Sequence, residues 1–245
     1  MRAGRPTRRV VIEETDVTIS ADSRRDLDRA ARAVRHHRRR LDAYVHRHPE
    51  FLTAKVPIRV TERAPRIVRT MARAARLTGV GPMAAVAGSI AELAARSASP
   101  TVIVDNGGDV QVRSRRPVIV GLYVSEDHPL TGRLGFEVRG TVGVCTSSGR
   151  YGHSFSLGEA DAVTVFAERA SVADAAATAV CNLTRGDDPE GAVQRALELA
   201  DDLTGDVVDA VLIVHGDLVG YSGRLPRMVR IEGGEVRPAR LEPTI

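Results

Sequence analysis

Residues Val142–Asn182 read VGVCTSSGRYGHSFSLGEADAVTVFAERASVADAAATAVCN. A short apolar run, Val142 to Cys145, enters a Ser/Gly turn at Thr146-Ser147-Ser148-Gly149. A second run, Ala162 to Phe166, follows the turn and its loop. Ser171 then opens an Ala-rich helix that continues to about Cys181. Strand, turn, strand and helix in this order predict an antiparallel sheet with a helix laid against it. The same stretch holds both cysteines of the chain and one of its seven histidines, His153.

Outward from this unit, the pattern stays mixed. Before it come strand patterns at Val10–Ile12 and Asp16–Ile19. An amphipathic helix runs from Leu27 to His48, where Pro49 ends it. A loop is expected from Glu50 to Pro65. A second helix covers Arg66–Leu77, and a third covers Met83–Ala95 after the break Gly79-Val80-Gly81-Pro82. Strands are expected at Thr101–Asp105, Asp109–Val112, Pro117–Val124 and Leu134–Arg139. Asn106-Gly107-Gly108 has the composition of a hairpin turn. Beyond the central stretch, Asp188-Pro189 opens a helix to Leu203, followed by hairpins over Val207–Tyr221 and Met228–Val236. No linker divides the chain, so the expectation is a single α+β domain over residues 1–245, with mixed or antiparallel sheets packed against helices.

Of the 245 residues, 43% are hydrophobic, 27% charged and only 3% aromatic, with no Trp, so the core is built from Ala, Val, Leu and Ile. The formal net charge of +4 comes almost wholly from Arg. The densest basic run, Arg35-His36-His37-Arg38-Arg39-Arg40, reads as a solvated helix face, and no nucleic-acid partner is expected. No segment has the roughly 20 apolar residues that span a bilayer. Two cysteines and no secretory leader point to the cytoplasm.

Several residues could do chemistry. Asp174 and Thr178 lie one helical turn apart, so a carboxylate and a hydroxyl share a face. Together with a phosphate they would suit a hard cation such as Mg²⁺. The same carboxylate also fits a capping box, Ser171-x-x-Asp174. His153, on a Gly-rich loop, is a candidate for acid–base work. Gly81, before a helix start, could expose backbone N–H groups to an anion or simply allow close packing. Cys145 beside loop N–H donors could be an activated thiolate; as a buried residue it would be a small hydrophobe. Neither cysteine belongs to a CxxC pair, which argues against structural zinc.

Four motifs in order, GVGPMAAVAGSIAE, NGGD, GVCTSSGRYGHS and ASVADAAATAVCN, resemble the uncharacterised-protein-family branch of the ApbE-like superfamily. The resemblance covers about residues 60–215. It implies kinship with FAD-dependent protein FMN transferases, which use Mg²⁺ and attach FMN to Ser or Thr. By resemblance, Asp174 and Thr178 are the metal ligands and His153 the catalytic histidine. Gly107, Gly108 and Asp109 match the family's Gly-Gly-Asp and Ser148 and Gly149 its Ser-Gly; with Gly81, Thr146 and Ser147 they make up the candidate cofactor-binding turns, and Glu92 takes the place of a family acidic residue. The sequence departs from the transferases at Ala87, where they carry Lys, and at Ser154–Gly158, where they carry Asp-Pro-x-Thr-Gly. Cys145 and Cys181 belong to the branch. The resulting expectation is a small phosphate-containing ligand, FAD or FMN with Mg²⁺. The alternatives are persulfide handling through Cys145 or binding without catalysis. The small-residue helix Met83–Ala95 is also suited to a homo-oligomer seam.

Overall fold

The computed structural model describes residues 5–149, 157–232 and 235–239. The strands are β1 (Thr7–Ile12), β2 (Thr15–Ala21), β3 (Thr101–Asn106), β4 (Asp109–Gly121), β5 (Leu134–Ser147), β6 (Ala162–Ala167), β7 (Ala210–His215), β8 (Leu218–Gly223), β9 (Arg227–Glu232) and β10 (Glu235–Pro238). Every pairing between them is antiparallel. The sheet runs β1 to β8 in sequence order, and β9 joins the outer end of β5 and carries β10. The helices are α1 (Arg24–Val45), α2 (Pro49–Thr53), α3 (Arg66–Thr78), α4 (Val86–Arg96), α5 (Ala170–Cys181) and α6 (Pro189–Leu203). This is the α+β, single-domain architecture expected from the sequence, with helices against an antiparallel sheet.

The two long strands are where local reading falls short. Separate strands were expected at Asp109–Val112 and Pro117–Val124, and at Leu134–Arg139 and Val142–Cys145. Each pair is one continuous strand, irregular between Ser114 and Val118 in β4 and passing through Gly140 at φ 91° in β5. On a straight strand Phe136 and Val144 would stand about 26 Å apart. Yet Val144 pairs with Phe166, and the Phe136 and Phe166 rings meet edge to face at 4.8 Å. The strand therefore folds back at the glycine, where positive φ carries no penalty. A second apolar cluster, with Val112, Phe136, Val144, Phe166 and Leu212, fills the concave side. The expected loop 50–65 begins inside the short α2, and the β7–β8 hairpin begins at Ala210 rather than Val207.

The main core lies on the other face, among α1, α3, α4, α5, α6 and the sheet. Helix α5 is buried along all 12 residues. Its six alanines explain this: alanine favours helix strongly and leaves room for neighbouring backbones. Gly88 in α4 and Gly143 in β5 are the points of closest approach, since a Cβ there would lie 2.2 Å from the Ala170 carbonyl oxygen and 2.4 Å from the Ala170 nitrogen. Among the described residues no single helix is long and apolar enough to cross a membrane.

Candidate functional site

The hairpin turn, the start of α4, the inner end of β5 and the middle of α5 converge. Asn106-Gly107-Gly108-Asp109 makes the tight β3–β4 turn, with φ of 66° and 101° at the two glycines. Gly108 N–H closes it by donating to Asp105 Oδ1 at 2.9 Å. Asn106 Nδ2 reaches across to the Ala87 carbonyl at 3.1 Å, which ties the turn to the first turn of α4.

Helix α4 lacks a capping side chain of its own; its N-cap residue is Ala85. Asp174, from the middle of α5, takes that role through space. Gly88 N–H donates to Asp174 Oδ2 at 2.8 Å, and Ala87 N–H also hydrogen-bonds this carboxylate. A carboxylate at a helix N-terminus satisfies free donors and favours the positive end of the dipole. The capping box expected at Ser171-x-x-Asp174 is therefore incorrect. Ser171 lies inside α5, and its hydroxyl donates to Glu92 Oε2 at 2.5 Å. The start of α5 is held instead by Gln111, whose Oε1 accepts from Ala170 N–H at 2.8 Å.

Glu92 is drawn into a buried polar cluster of its own. Its Oε1 meets Arg96 Nε at 3.0 Å and Arg169 Nε at 3.4 Å, which makes its role in this structure an interhelical tie.

Around Asp174 the groups are anionic or hydroxylic. Thr178 Oγ1 and Ser147 Oγ are 3.2 Å apart, so the helix face and the strand end share one surface. Asp109 stands at the head of β4, held by a hydrogen bond from Thr146 N–H and beside the Cys145 thiol. Burial, with Asp105 nearby, raises the Asp109 carboxyl to about 7. Burial and the Asp109 charge push Asp174 well above the carboxylate range, against the pull of the Gly88 and Ala87 N–H groups. Two carboxylates that cannot both ionise cheaply behave as a unit that holds a proton.

The same surroundings argue against an activated thiolate. Cys145 is fully buried, donates to the Ala170 carbonyl at 3.3 Å, and is pushed up by burial and by Asp109 and Asp174. With one proton and two acceptors in reach, the sulfur stays a thiol. Cys181, at the end of α5, is likewise buried.

The other expected site residues divide. Ser147 is at the site, while Thr146 points its hydroxyl to Thr164 on the opposite face, at 2.8 Å, and offers Asp109 only its N–H. Ser148 and Gly149 continue from β5. Gly149 is needed for packing, since a Cβ there would meet the Gly158 carbonyl oxygen at 1.8 Å. Gly81 is also a packing glycine: its Cβ would strike the Ala54 carbonyl oxygen at 1.9 Å, and a four-residue 3₁₀ turn, Pro82–Ala85, follows it. Gly107 and Gly108 have open space on their Cβ side. His153 and Ser154 lie outside the described residues. Asn106 and Gln111 were not picked out as tying residues; a polar side chain at an inward strand position was the available signal.

Among the described residues, no three of His, Cys, Asp or Glu gather as a self-sufficient metal site. The donors at Asp174 are oxygens from carboxylates and hydroxyls, a set suited to a hard cation that retains water or phosphate rather than to zinc. Two cavities, of about 320 and 330 Å³, lie elsewhere and are lined by neither Asp174 nor Thr178.

Comparison with known proteins agrees with this architecture. The sequence profile of the family described as "AbpE bacteria" matches residues 1–217. A UPF0280 protein of Methanopyrus kandleri is 68% identical over 237 residues, covering 97% of this chain and 98% of the relative. A UPF0280 protein of Methanocaldococcus jannaschii is 41% identical, covering 92% and 93%. Among solved structures, the flavinyl transferase ApbE of Pseudomonas stutzeri superposes with a TM-score of 0.58 at 14% identity, over 98% of this chain and 96% of that one. A mutant of the flavin transferase ApbE of Vibrio cholerae gives 0.56 at 12% identity, over 90% and 97%. At such identities the structures establish a common fold, and the sequence relatives establish kinship: the chain belongs to the AbpE bacteria family, among its UPF0280 proteins, and has the ApbE fold.

Proposed function

We propose that the chain binds a flavin or nucleotide phosphate together with Mg²⁺ where Asp109, Ser147, Asp174 and Thr178 meet. The observation that carries this reading is the buried carboxylate pair. Burial and the Asp109 charge raise Asp174, burial and Asp105 raise Asp109, and no basic side chain among the described residues enters the causes of either shift. A divalent cation held by these carboxylates would relieve the repulsion at Asp174 and release a proton. Thr178 and Ser147 hydroxyls would complete an oxygen set, and ligand phosphates would fill the rest. When bound, the cation would supply charge stabilisation at the phosphate. The chain's own part is to hold Asp174 rigid through α4 and to present Gly107 and Gly108 as open backbone.

The names of the fold neighbours, flavin and flavinyl transferases, support a flavin as the ligand. Ala87 and Ser154–Gly158 depart from the transferase pattern, which favours binding over FMN transfer. The buried, protonated Cys145 disfavours persulfide handling.

The test is direct. The purified chain is incubated with FAD and Mg²⁺, freed of unbound ligand, and its flavin absorbance and Ser/Thr peptides are measured. Retained flavin that is lost in Asp174→Asn supports the reading, and FMN on a Ser or Thr peptide extends it to transfer. No retention at high FAD and Mg²⁺ overturns it.

A further inference from the structure

At the far end of α4, about 15 Å along the helix axis from Asp174 by the rise per residue, the chemistry reverses. A cavity of about 330 Å³ is lined by His37 of α1, Arg66 of α3, Leu93, Arg96 and Ser97 at the end of α4, and Arg113 of β4. No acidic residue is in that lining. Arg96 is partly neutralised by Glu92, but no ion pair among the described residues uses Arg66 or Arg113.

The last carbonyls of α4 would oppose an anion here, yet they are already covered. Arg113 Nη1 donates to the Ala95 and Ala98 carbonyls at 2.9 and 3.1 Å, and Ser97 Oγ donates to the Ala94 carbonyl at 2.7 Å. Arg113 is thereby held by one nitrogen of its fork, Nη1. Arg66 is the first residue of α3, so the positive end of that helix lies near the cavity that Arg66 lines. Guanidinium groups from three different elements, held at one cavity, match the several oxygens of a phosphate better than a point charge would.

We propose that this cleft is a second binding site, for a small phosphorylated anion of the pyrophosphate or phosphomonoester class, separate from the Asp174 site. His37 reports on its occupancy. Burial, His36 on its own helix and Arg66 across the cleft depress its ring to about 4. The basic groups facing it are Arg66 from α3, Arg96 from α4 and Arg113 from β4, with His36 beside it on α1; an anion among them would raise the ring's proton affinity.

The experiment titrates inorganic pyrophosphate into the full chain by calorimetry and follows His37 by NMR. Saturable binding is expected, with an upward shift of the His37 titration. Arg66→Ala should weaken binding about tenfold, the loss of one bidentate charge-assisted contact. Arg66→Lys should lie between, and Arg227→Ala and Asp174→Asn should bind as the parent does. Arg66 is exposed on a helix start, so its variants are checked for an unchanged melt. Absence of saturation below about 10 mM overturns the proposal, being weaker than any useful site. So does equal weakening by Arg66→Ala and Arg227→Ala, which would mean diffuse charge attraction. Tighter binding of a single-stranded oligonucleotide, lost in Arg39→Ala and Arg40→Ala but not in Arg66→Ala, would assign the basic face to nucleic acid instead and overturn it as well.

Discussion

The two ends of α4 are held in opposite ways. At its N-terminus a carboxylate arrives from α5, buried to 8% exposure and short of positive partners. At its C-terminus an arginine arrives from β4 and lines an open cleft. Both signs suit the helix dipole. The difference lies in the surroundings. Water can reach the arginine end, so the charge there is stable and available to a ligand. Water is excluded at the aspartate end, so the charge there conflicts with Asp109 and calls for a proton or a cation. The helix thus borrows its N-terminal cap from α5 and adds Arg113 of β4 to its own Ser97 cap, and each borrowed group brings a site of opposite character with it.

Removing Asp174 should break the buried end hardest. Asp174→Ala leaves the Ala87 and Gly88 N–H groups buried without an acceptor, and chemical denaturation should show a loss of about 2–4 kcal/mol. Asp174→Asn keeps an acceptor oxygen and removes the repulsion with Asp109. Its stability at pH 8 should match or exceed the parent's. If both variants lose the same amount, charge repulsion has no part at this end.

The open end should be milder. Arg113→Ala removes two hydrogen bonds to the Ala95 and Ala98 carbonyls, but water can replace them. The expected cost is about 1 kcal/mol in the same measurement. A loss as large as that of Asp174→Ala would remove the contrast between the two ends.

The sequence disclosed the layers of this fold more readily than its ties. Hairpin turns at Gly107-Gly108 and helices from Leu27, Arg66 and Pro189 follow from spacing and turn chemistry. The pattern Ser-x-x-Asp shows the limit. At Ser23–Asp26 the serine is a true N-cap, its Oγ accepting from Asp26 N–H at 3.1 Å. At Ser171–Asp174 the same letters sit inside a helix and both side chains serve α4 instead. Local sequence is identical in kind; only tertiary packing distinguishes them. The fold-back of β5 at Gly140 and the bond from Gln111 to Ala170 are likewise set by residues distant in sequence. At the candidate site the sequence singled out Asp109, Ser147, Asp174 and Thr178 one by one; that Ser147 meets Thr178 and that Asp109 acts on Asp174 appears only in the fold. The inert state of Cys145 was not legible either, because it depends on two carboxylates brought in from other elements. Arg66 and Arg113 carry no motif at all, and the cleft they form appears only once α3, α4 and β4 are packed.

The most direct test of the carboxylate pair is its response to Mg²⁺ across pH. Folding raises Asp109 from 3.8 to about 7, and raises Asp174 in the same direction. A raised carboxylate contributes stability below its unfolded pKa, and that contribution is lost as pH rises through the folded value. Without added Mg²⁺ the parent should therefore be less stable, relative to Asp174→Asn, at pH 8 than at pH 5. Thermal melts with millimolar Mg²⁺ should show a larger rise in Tm at pH 8 than at pH 5, absent in Asp174→Asn. A rise that is equal at both pH values, or that persists in Asp174→Asn, would contradict a cation site built on these two aspartates.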